Sequence, residues 1–488
     1  MRHARRVAER RVVRGVSRIP GVRQHPPRAK HDVARIRGTT QTSGWKETRA
    51  MTTRSDSDLL IVLLDGRVIG ELQRDRRRGD LVFTYDASWR TRPDAVPLSV
   101  TMPVAGRSYP DAIVSPFFRA LLPDNALGLD ALTQRHQLAS GDTFGLLRAL
   151  GGDCSGALQC VQPTRVADVQ SGRLDAVTWL TKTEVIARLR ALRQPGASGR
   201  VLGDSGQFSL AGQQAKTALL YDDVARRWGI PAGRVPTTHI LKPAPLTDPQ
   251  RADNEHSCLV LARAAGLLAA ASWVWRTGDE YTLVVERYDR RRLPDGTIAR
   301  IHQEDLCQAI GIAPERKYEA SGGPTAVQIM QFLRERAING SRAVDQFLRA
   351  LAYNWIILGS DAHARNFSVV LTAGGEMAIA PLYDLISALP YAKTIPEHTV
   401  NLSMRIGDTR HATSIGSTHW RQLTDEAGLE WTHCRTLMLD LLNAVGNALP
   451  QLESATAATH GDAAFVGAFS TRVARRVRRC ASQLGVRG

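Results

Sequence analysis

Apolar and polar positions change period several times along the chain. Residues 59–64 form an unbroken apolar run, Asp65-Gly66 follows, and 67–72 form a second strand-like run. Two such runs around Asp-Gly predict a β-hairpin. A third strand-like run covers 81–85 after a charged loop, and helical patterns cover 117–122 and 144–150, the second broken by Gly151-Gly152. Together they predict a small α/β module over 57–165. Segment 166–200 reads as a connector with one amphipathic helix at 182–192, stopped by Gln194-Pro195-Gly196.

Further along, short strands at 216–221, 238–242 and 282–286 enclose a long helix at about 254–268, which predicts a small sheet with a helix across it in a lobe over 201–290. Region 291–488 is mainly helical, with helices expected at 303–310, 326–337, 343–358 and 431–444. A basic amphipathic helix at 465–484 carries Arg472, Arg475, Arg476, Arg478 and Arg479. It reads as a solvated face or as a nucleic-acid patch. The fold class is α+β, and no internal repeat is evident.

Composition narrows the function classes. The chain has 488 residues, 43% hydrophobic and 23% charged, ordinary for a soluble globular protein of two or three domains. The most apolar stretch, 258–275, contains Arg263 and reads as a buried helix, so no membrane association is expected. Six cysteines at 154, 160, 258, 307, 434 and 480 show no metal-binding spacing, consistent with free thiols in a reducing, cytoplasmic compartment. Of the net charge of +17, residues 1–50 hold +11 through fourteen Lys/Arg against three Asp/Glu. Residues 1–56 read as a basic, disordered extension, or as a tail that binds acidic surfaces, and Met51 is a candidate true start.

Chemistry concentrates in 357–371. An apolar helix stops at Gly359, Asp361 sits in the following loop, Asn366 lies five residues on, and 367–371 reads as a strand. Residues 372–376 form a turn, 377–380 return, and Tyr383-Asp384 follow Pro381. Centring the hairpin between Gly374 and Gly375 pairs Asn366 with about residue 383, which brings Asp361, Asn366 and Asp384 to one end. Phosphoryl transfer needs such a set: a carboxylate to take the acceptor's proton, and oxygen ligands for magnesium. Asp361 is therefore the expected base, and Asn366 and Asp384 the expected metal ligands. Each residue taken alone also fits a turn or a helix cap.

Weaker signals lie upstream. Ser209-Leu-Ala211-Gly212-Gln-Gln-Ala-Lys216-Thr217 joins two strand-like runs and could offer backbone N–H groups and a lysine to phosphates, or serve as an ordinary turn. Lys242, at a strand end, is a candidate for the α- and β-phosphates and could pair with Glu255. Glu286 and Tyr288 follow an apolar strand where a hinge would meet adenine, and a plain edge-strand end is the alternative.

Taken in order, several motifs resemble the HipA family, the kinase toxins of bacterial type II toxin–antitoxin pairs. They are Phe117-Phe118-Arg-Ala-Leu121-Leu122-Pro123-Asp124, Asp153-Cys154-Ser-Gly156, Ser209 to Thr217, His239-Ile-Leu-Lys242 and Glu286-Arg287-Tyr288-Asp289-Arg290. His302-Gln303-Glu304-Asp305, Asn354-Trp355, Asp361-Ala-His363-Ala-Arg-Asn366 and Tyr383-Asp384-Leu385 continue the series, and the likeness spans about 59–445. The resemblance implies a two-lobed, protein-kinase-like fold and an ATP- and Mg2+-dependent protein serine/threonine kinase. It implies Asp361 as catalytic residue, Asn366 and Asp384 as metal ligands, and Lys242, Ala211, Gly212, Lys216, Glu286, Tyr288 and His363 at the nucleotide. It further implies autophosphorylation at Ser209, neutralisation by a small helix-turn-helix antitoxin resembling HipB, operator DNA bound through that complex, and a protein substrate in translation.

The chain departs from the family at Gln214-Ala215, where a Glu usually precedes the Lys, and at Arg365, where a Lys is common. The motifs also leave open a small-molecule kinase acting on antibiotics or sugars, and a catalytically silent antitoxin- or DNA-binding module.

Overall fold

In the computed structural model of the protein, which describes residues 58–124, 126–194, 212 and 214–486, β1 (Leu59–Leu64) and β2 (Arg67–Arg74) form the expected hairpin. Asp65 and Gly66 take φ of 46° and 77°, the left-handed pair that a two-residue turn between right-twisted strands requires. β3 (Leu81–Tyr85), β4 (Ser108–Tyr109) and β5 (Leu158–Val161) complete a sheet ordered β4-β3-β2-β1-β5. Leu60, Val62, Leu72 and Phe83 pack against Phe117, Phe118, Phe144 and Leu147 of the helices Asp111–Arg119 and Thr143–Leu150. The first of these helices thus begins before the expected 117–122 and ends within it, at Arg119. Leu121 and Leu122 lie in a turn instead, because Pro123 disfavours helical backbone just before it.

A second sheet, ordered β10-β11-β9-β7-β8-β6, comprises β6 (Ala176–Leu180), β7 (Thr217–Asp222), β8 (Arg227–Ala232), β9 (His239–Pro243), β10 (Ser272–Thr277) and β11 (Glu280–Glu286). The segment read as a connector supplies the edge strand β6 and the helix Lys182–Leu192. That helix carries a Thr181/Glu184 capping box and buries Val185, Leu189 and Leu192 against Leu219, Leu241 and Val284. β10 falls where the sequence suggested a continuing helix. The helix Arg251–Ala264 ends before Gly266, which takes φ 77°, and the aromatic and β-branched residues after it pair with β11.

β12 (Arg290–Arg292) and β13 (Ile298–Arg300) form a small hairpin that leads to a three-stranded sheet of β14 (Gln303–Asp305), β15 (Ser368–Leu371) and β16 (Met377–Ile379). The helix expected at 303–310 is therefore a strand followed by the short helix Leu306–Ile310. Asp305 marks the switch, with its side chain capping Gln308 N and the Gln308 amide returning to Asp305 N.

The remaining lobe is helical, with Ala326–Arg336, Gly340–Ile357, Ser417–Glu426, Trp431–Ala457 and Ala463–Gln483 around a core that includes Phe347, Trp355, Trp420, Met438 and Phe469. The basic face of the last helix is not simply solvated. Arg476 is fully buried and donates to the Trp355 carbonyl at 3.0 Å, in the open last turn of Gly340–Ile357, while Arg472 and Arg479 donate to the carbonyls of Leu389 and Thr413. All six cysteines are buried free thiols. Among the described residues no helix is long and apolar enough to cross a membrane. Residues 1–57, with the candidate start Met51, lie outside the described residues.

Candidate active site

The helix Gly340–Ile357 ends one residue earlier than its glycine suggests: Leu358 takes the left-handed conformation at φ 52°. Gly359 is needed for a different reason, since a Cβ there would overlap Asn354 Oδ1. The chain then loops through Asp361 to β15. The Asp361 carbonyl accepts from His363 N at 2.8 Å and from Asn366 Nδ2 at 2.7 Å, so Asn366 closes the loop that carries Asp361. The Asp361 carboxylate is 51% exposed and accepts from the Tyr318 hydroxyl at 2.8 Å.

β15 and β16 pair as Val369↔Ile379 and Leu371↔Met377, a hairpin centred on Gly374. The expected centre was half a residue further on, so the extrapolated register meets Leu382 rather than Tyr383. Pairing stops at Ser368, and Tyr383 secures the junction by another route. Its hydroxyl donates to the Arg365 carbonyl at 2.8 Å and lies 2.6 Å from Ser368 Oγ. Asp384 takes φ 55°, a left-handed backbone that Asp tolerates better than most residues, and this turns its carboxylate toward Lys242.

Lys242 lies on β9, 7% exposed, with Nζ 2.7 Å from Glu255 Oε1 and 2.7 Å from Asp384 Oδ1. Burial opposes its charge, but the two carboxylates outweigh burial and hold the ammonium well above its ordinary pKa. Burial also works against Asp384, yet Lys242 and Lys216 hold its carboxyl well below the usual range. Lys216 itself is pushed down to about 8 by burial and by Lys242. Gly212 takes φ 107° close above it, where a Cβ would overlap Lys216 Nζ. Burial pushes His363 down to about 4, against the pull of Asp361, and its Nδ1 is buried without a hydrogen-bond partner.

One cavity of about 220 Å³ is lined by Gly212, Lys216, Lys242, Glu255, Glu286, Tyr288, Asp361, His363, Asn366 and Asp384. Ser209 and Ala211 lie outside the described residues. Tyr288 stacks on Tyr383 at 6.0 Å, whereas Arg287 is committed elsewhere, in a buried ion cluster of Arg290, Arg300, Asp153 and Asp289. Asp153 belongs to the N-terminal α/β module, so this cluster ties the module to the end of β11.

A second tie carries residues to which the sequence assigned no role. Asp124 accepts from Lys317 Nζ at 3.0 Å and pairs with Arg365, which also bonds Asp305 Oδ2 at 3.0 Å and the Ala120 carbonyl at 2.6 Å. Asp124 N donates to the Gly212 carbonyl at 3.4 Å. Asp124 therefore touches both the loop before β7 and the loop of Asp361. Burial would raise its carboxyl, but Arg365 and Lys317 prevail and lower it. The only advance signal was its place at the end of the Phe117–Asp124 motif. Tyr318 and Lys317 gave none, because they belong to an irregular segment distant in sequence, from which Lys317 lines the cavity and Tyr318 meets the Asp361 carboxylate.

Comparisons agree with this architecture. Residues 60–161 match the model of the HipA N-terminal domain, and 208–449 that of the HipA-like C-terminal domain. The chain is 33% identical over 423 residues to Y4mE of Sinorhizobium fredii, covering 86% of this chain and 98% of that one. It is 28% identical over 429 residues to the serine/threonine-protein kinase toxin HipA of Shewanella oneidensis, covering 84% and 93%. A solved Shewanella oneidensis structure of HipA with HipB and its operator DNA superposes with a TM-score of 0.74 at 26% identity, over 87% of this chain and 97% of that one. With both domain models matched in order and a relative covered almost end to end, the chain belongs to the HipA family of kinases and has their α+β, kinase-like fold.

Proposed function

We propose that the chain is an ATP- and magnesium-dependent protein serine/threonine kinase of the HipA toxin type. The observation that carries this is the buried Lys242, held charged between Glu255 and Asp384 and facing the same cavity as Asp361 and Asn366. A buried cation with two carboxylate partners is a costly arrangement. A site that receives phosphates gives it a use.

The donor set fits magnesium. Asp384 offers a carboxylate, and Asn366 commits its amide nitrogen to the Asp361 carbonyl, which leaves the amide oxygen as a ligand atom. Among the described residues no group of three or more His, Cys, Asp or Glu side chains could hold a metal ion. Two protein oxygens with water and phosphate completing the shell suit magnesium, which keeps several waters. When bound, the ion supplies charge neutralisation at the transferred phosphoryl group.

The protein groups divide the remaining work. Lys242 and Lys216 bind the phosphates, and a phosphate beside Lys216 favours its charged form. Gly212, which has no Cβ, leaves room for the Lys216 ammonium directly beside it. Glu286 and Tyr288 border the purine end. Asp361 takes the acceptor's proton, and its half-exposed carboxylate is within reach of a hydroxyl on another protein.

The family supports the finer readings: autophosphorylation at Ser209, a helix-turn-helix antitoxin, operator DNA bound with that antitoxin, a substrate in translation and a cytoplasmic location. The Shewanella relative is known as a complex with HipB and its operator DNA. Mass spectrometry of the full chain after incubation with MgATP tests the reading. A phosphate on the peptide containing Ser209, absent with Asp361→Ala, is expected. Equal phosphorylation in both proteins would remove Asp361 from its role.

A further inference from the structure

The Tyr318 hydroxyl donates to Asp361 Oδ1 at 2.8 Å. Nothing in the placement of Asp361 requires this bond. Its carbonyl already accepts from His363 N and Asn366 Nδ2, and the preceding carbonyl, of Ser360, accepts from Ser403 Oγ at 2.7 Å. The loop is fixed by its main chain, and Tyr318 engages only the carboxylate.

The backbone of Tyr318 is fixed as well. Its carbonyl accepts from Ser321 N and Gly323 N, each at 2.9 Å. On one side Lys317 is anchored to Asp124, and on the other Glu319 accepts from Arg405 N and Nε at 2.7 and 2.6 Å. What remains free is rotation of the tyrosine side chain. Its ring is partly exposed, edge-on to His363 at 4.8 Å, with Lys317 Nζ 5.4 Å from its centre. It can swing toward solvent without opening the core.

An acceptor hydroxyl must donate to the base at hydrogen-bond distance before it attacks, and the phenol already makes such a bond. We propose that the Tyr318 hydroxyl holds the acceptor's place on Asp361, so that an acceptor or water reaches the base only when this side chain swings away. The inference rests on Asp361 being the base. Tyr318 therefore restrains transfer by occupying the base, and it shields bound ATP from water while no protein acceptor is present.

Tyr318→Phe keeps the ring against His363 and Lys317 and removes only the hydroxyl. The test measures phosphate released from MgATP by the full chain without a protein acceptor, where water is the acceptor. Tyr318→Phe should raise this rate about tenfold, the scale of one hydrogen bond to a charged group, at unchanged KM for ATP. Tyr318→Leu should move it in the same direction, so a folding defect in one variant leaves the other to decide. The double variant Tyr318→Phe/Asp361→Ala should lose the gain. An unchanged or lower rate in both single variants, or a phosphate found on Tyr318 itself, overturns the inference. Asp361→Ala alone separates the two levels. If it is silent while Tyr318→Phe shows no gain, only the role of Tyr318 falls. If it still transfers phosphate, the reading of the site falls with it.

Discussion

Lys242 and Asp361 face one cavity from opposite surroundings: Lys242 is 7% exposed between two carboxylates, whereas the Asp361 carboxylate is 51% exposed and bonded by a tyrosine hydroxyl. In the buried cluster charges interact strongly, and removing one partner strands the others. At the open carboxylate, solvent can replace a lost contact. On the proposed function, the Lys242 side should therefore couple nucleotide binding to stability, while the Asp361 side should be separable from both.

Asp361→Ala probes the open side and carries the largest expected effect. Phosphotransfer from ATP should fall by roughly 10²- to 10⁴-fold, the contribution of a general base, with the melting temperature shifted by no more than about 2 °C. A large loss of stability would break the contrast. Lys242→Met probes the buried side. It leaves the buried Glu255 without its bonded cation and Asp384 with only Lys216 nearby, and should cost about 3–5 kcal/mol in urea unfolding, together with nucleotide binding. A Lys242→Met protein of full stability would show that the pair is not coupled to the fold.

Asp124→Asn sharpens the comparison, because Asp124 joins the two sides through Gly212 and Arg365. Losing its charge should cost about 2 kcal/mol and lower turnover about tenfold. The folded carboxyl is depressed, so its stabilisation is present above an unfolded value of about 4 and is lost as pH falls through the folded value. Wild type and Asp124→Asn should thus differ at pH 7 and converge in acid.

Glu304 gives the smallest effect and the opposite sign. Burial raises it to about 8, although Val100 N donates to it at 2.8 Å. Its contribution is complete below an unfolded value near 4.5 and is lost as pH rises through 8. Glu304→Gln should raise the melting temperature by about 2 °C at pH 8 and change it little at pH 4. An equal gain at both values would point to packing rather than charge.

Much of this arrangement was legible in the sequence where local rules governed it. The Asp65-Gly66 turn, the helix Lys182–Leu192 and the β15–β16 hairpin follow from turn chemistry, capping and strand period. The grouping of Asp361, Asn366 and Asp384 followed from the hairpin even though its register was slightly misplaced, because the loop and the left-handed Asp384 absorb the difference. Long-range pairings were not legible. β10 looked like continuing helix, since a short apolar run has no period that separates the two states. Edge strand β6 depends on β8 from another part of the chain. Arg476 reads as a solvated helix residue until Gly340–Ile357 presents it with an open carbonyl. Asp124, Lys317 and Tyr318 meet the site only through tertiary contact, and no spacing marks them.

Calorimetric titration of ATP, with and without magnesium, tests most directly whether the Asp384 carboxylate and Lys242 form a nucleotide-metal site. Asp384→Asn is the right variant, because asparagine keeps the shape and tolerates the left-handed backbone at φ 55°. Magnesium should tighten ATP binding to the wild type and leave binding to Asp384→Asn unchanged. The same magnesium-driven gain in both proteins would contradict it.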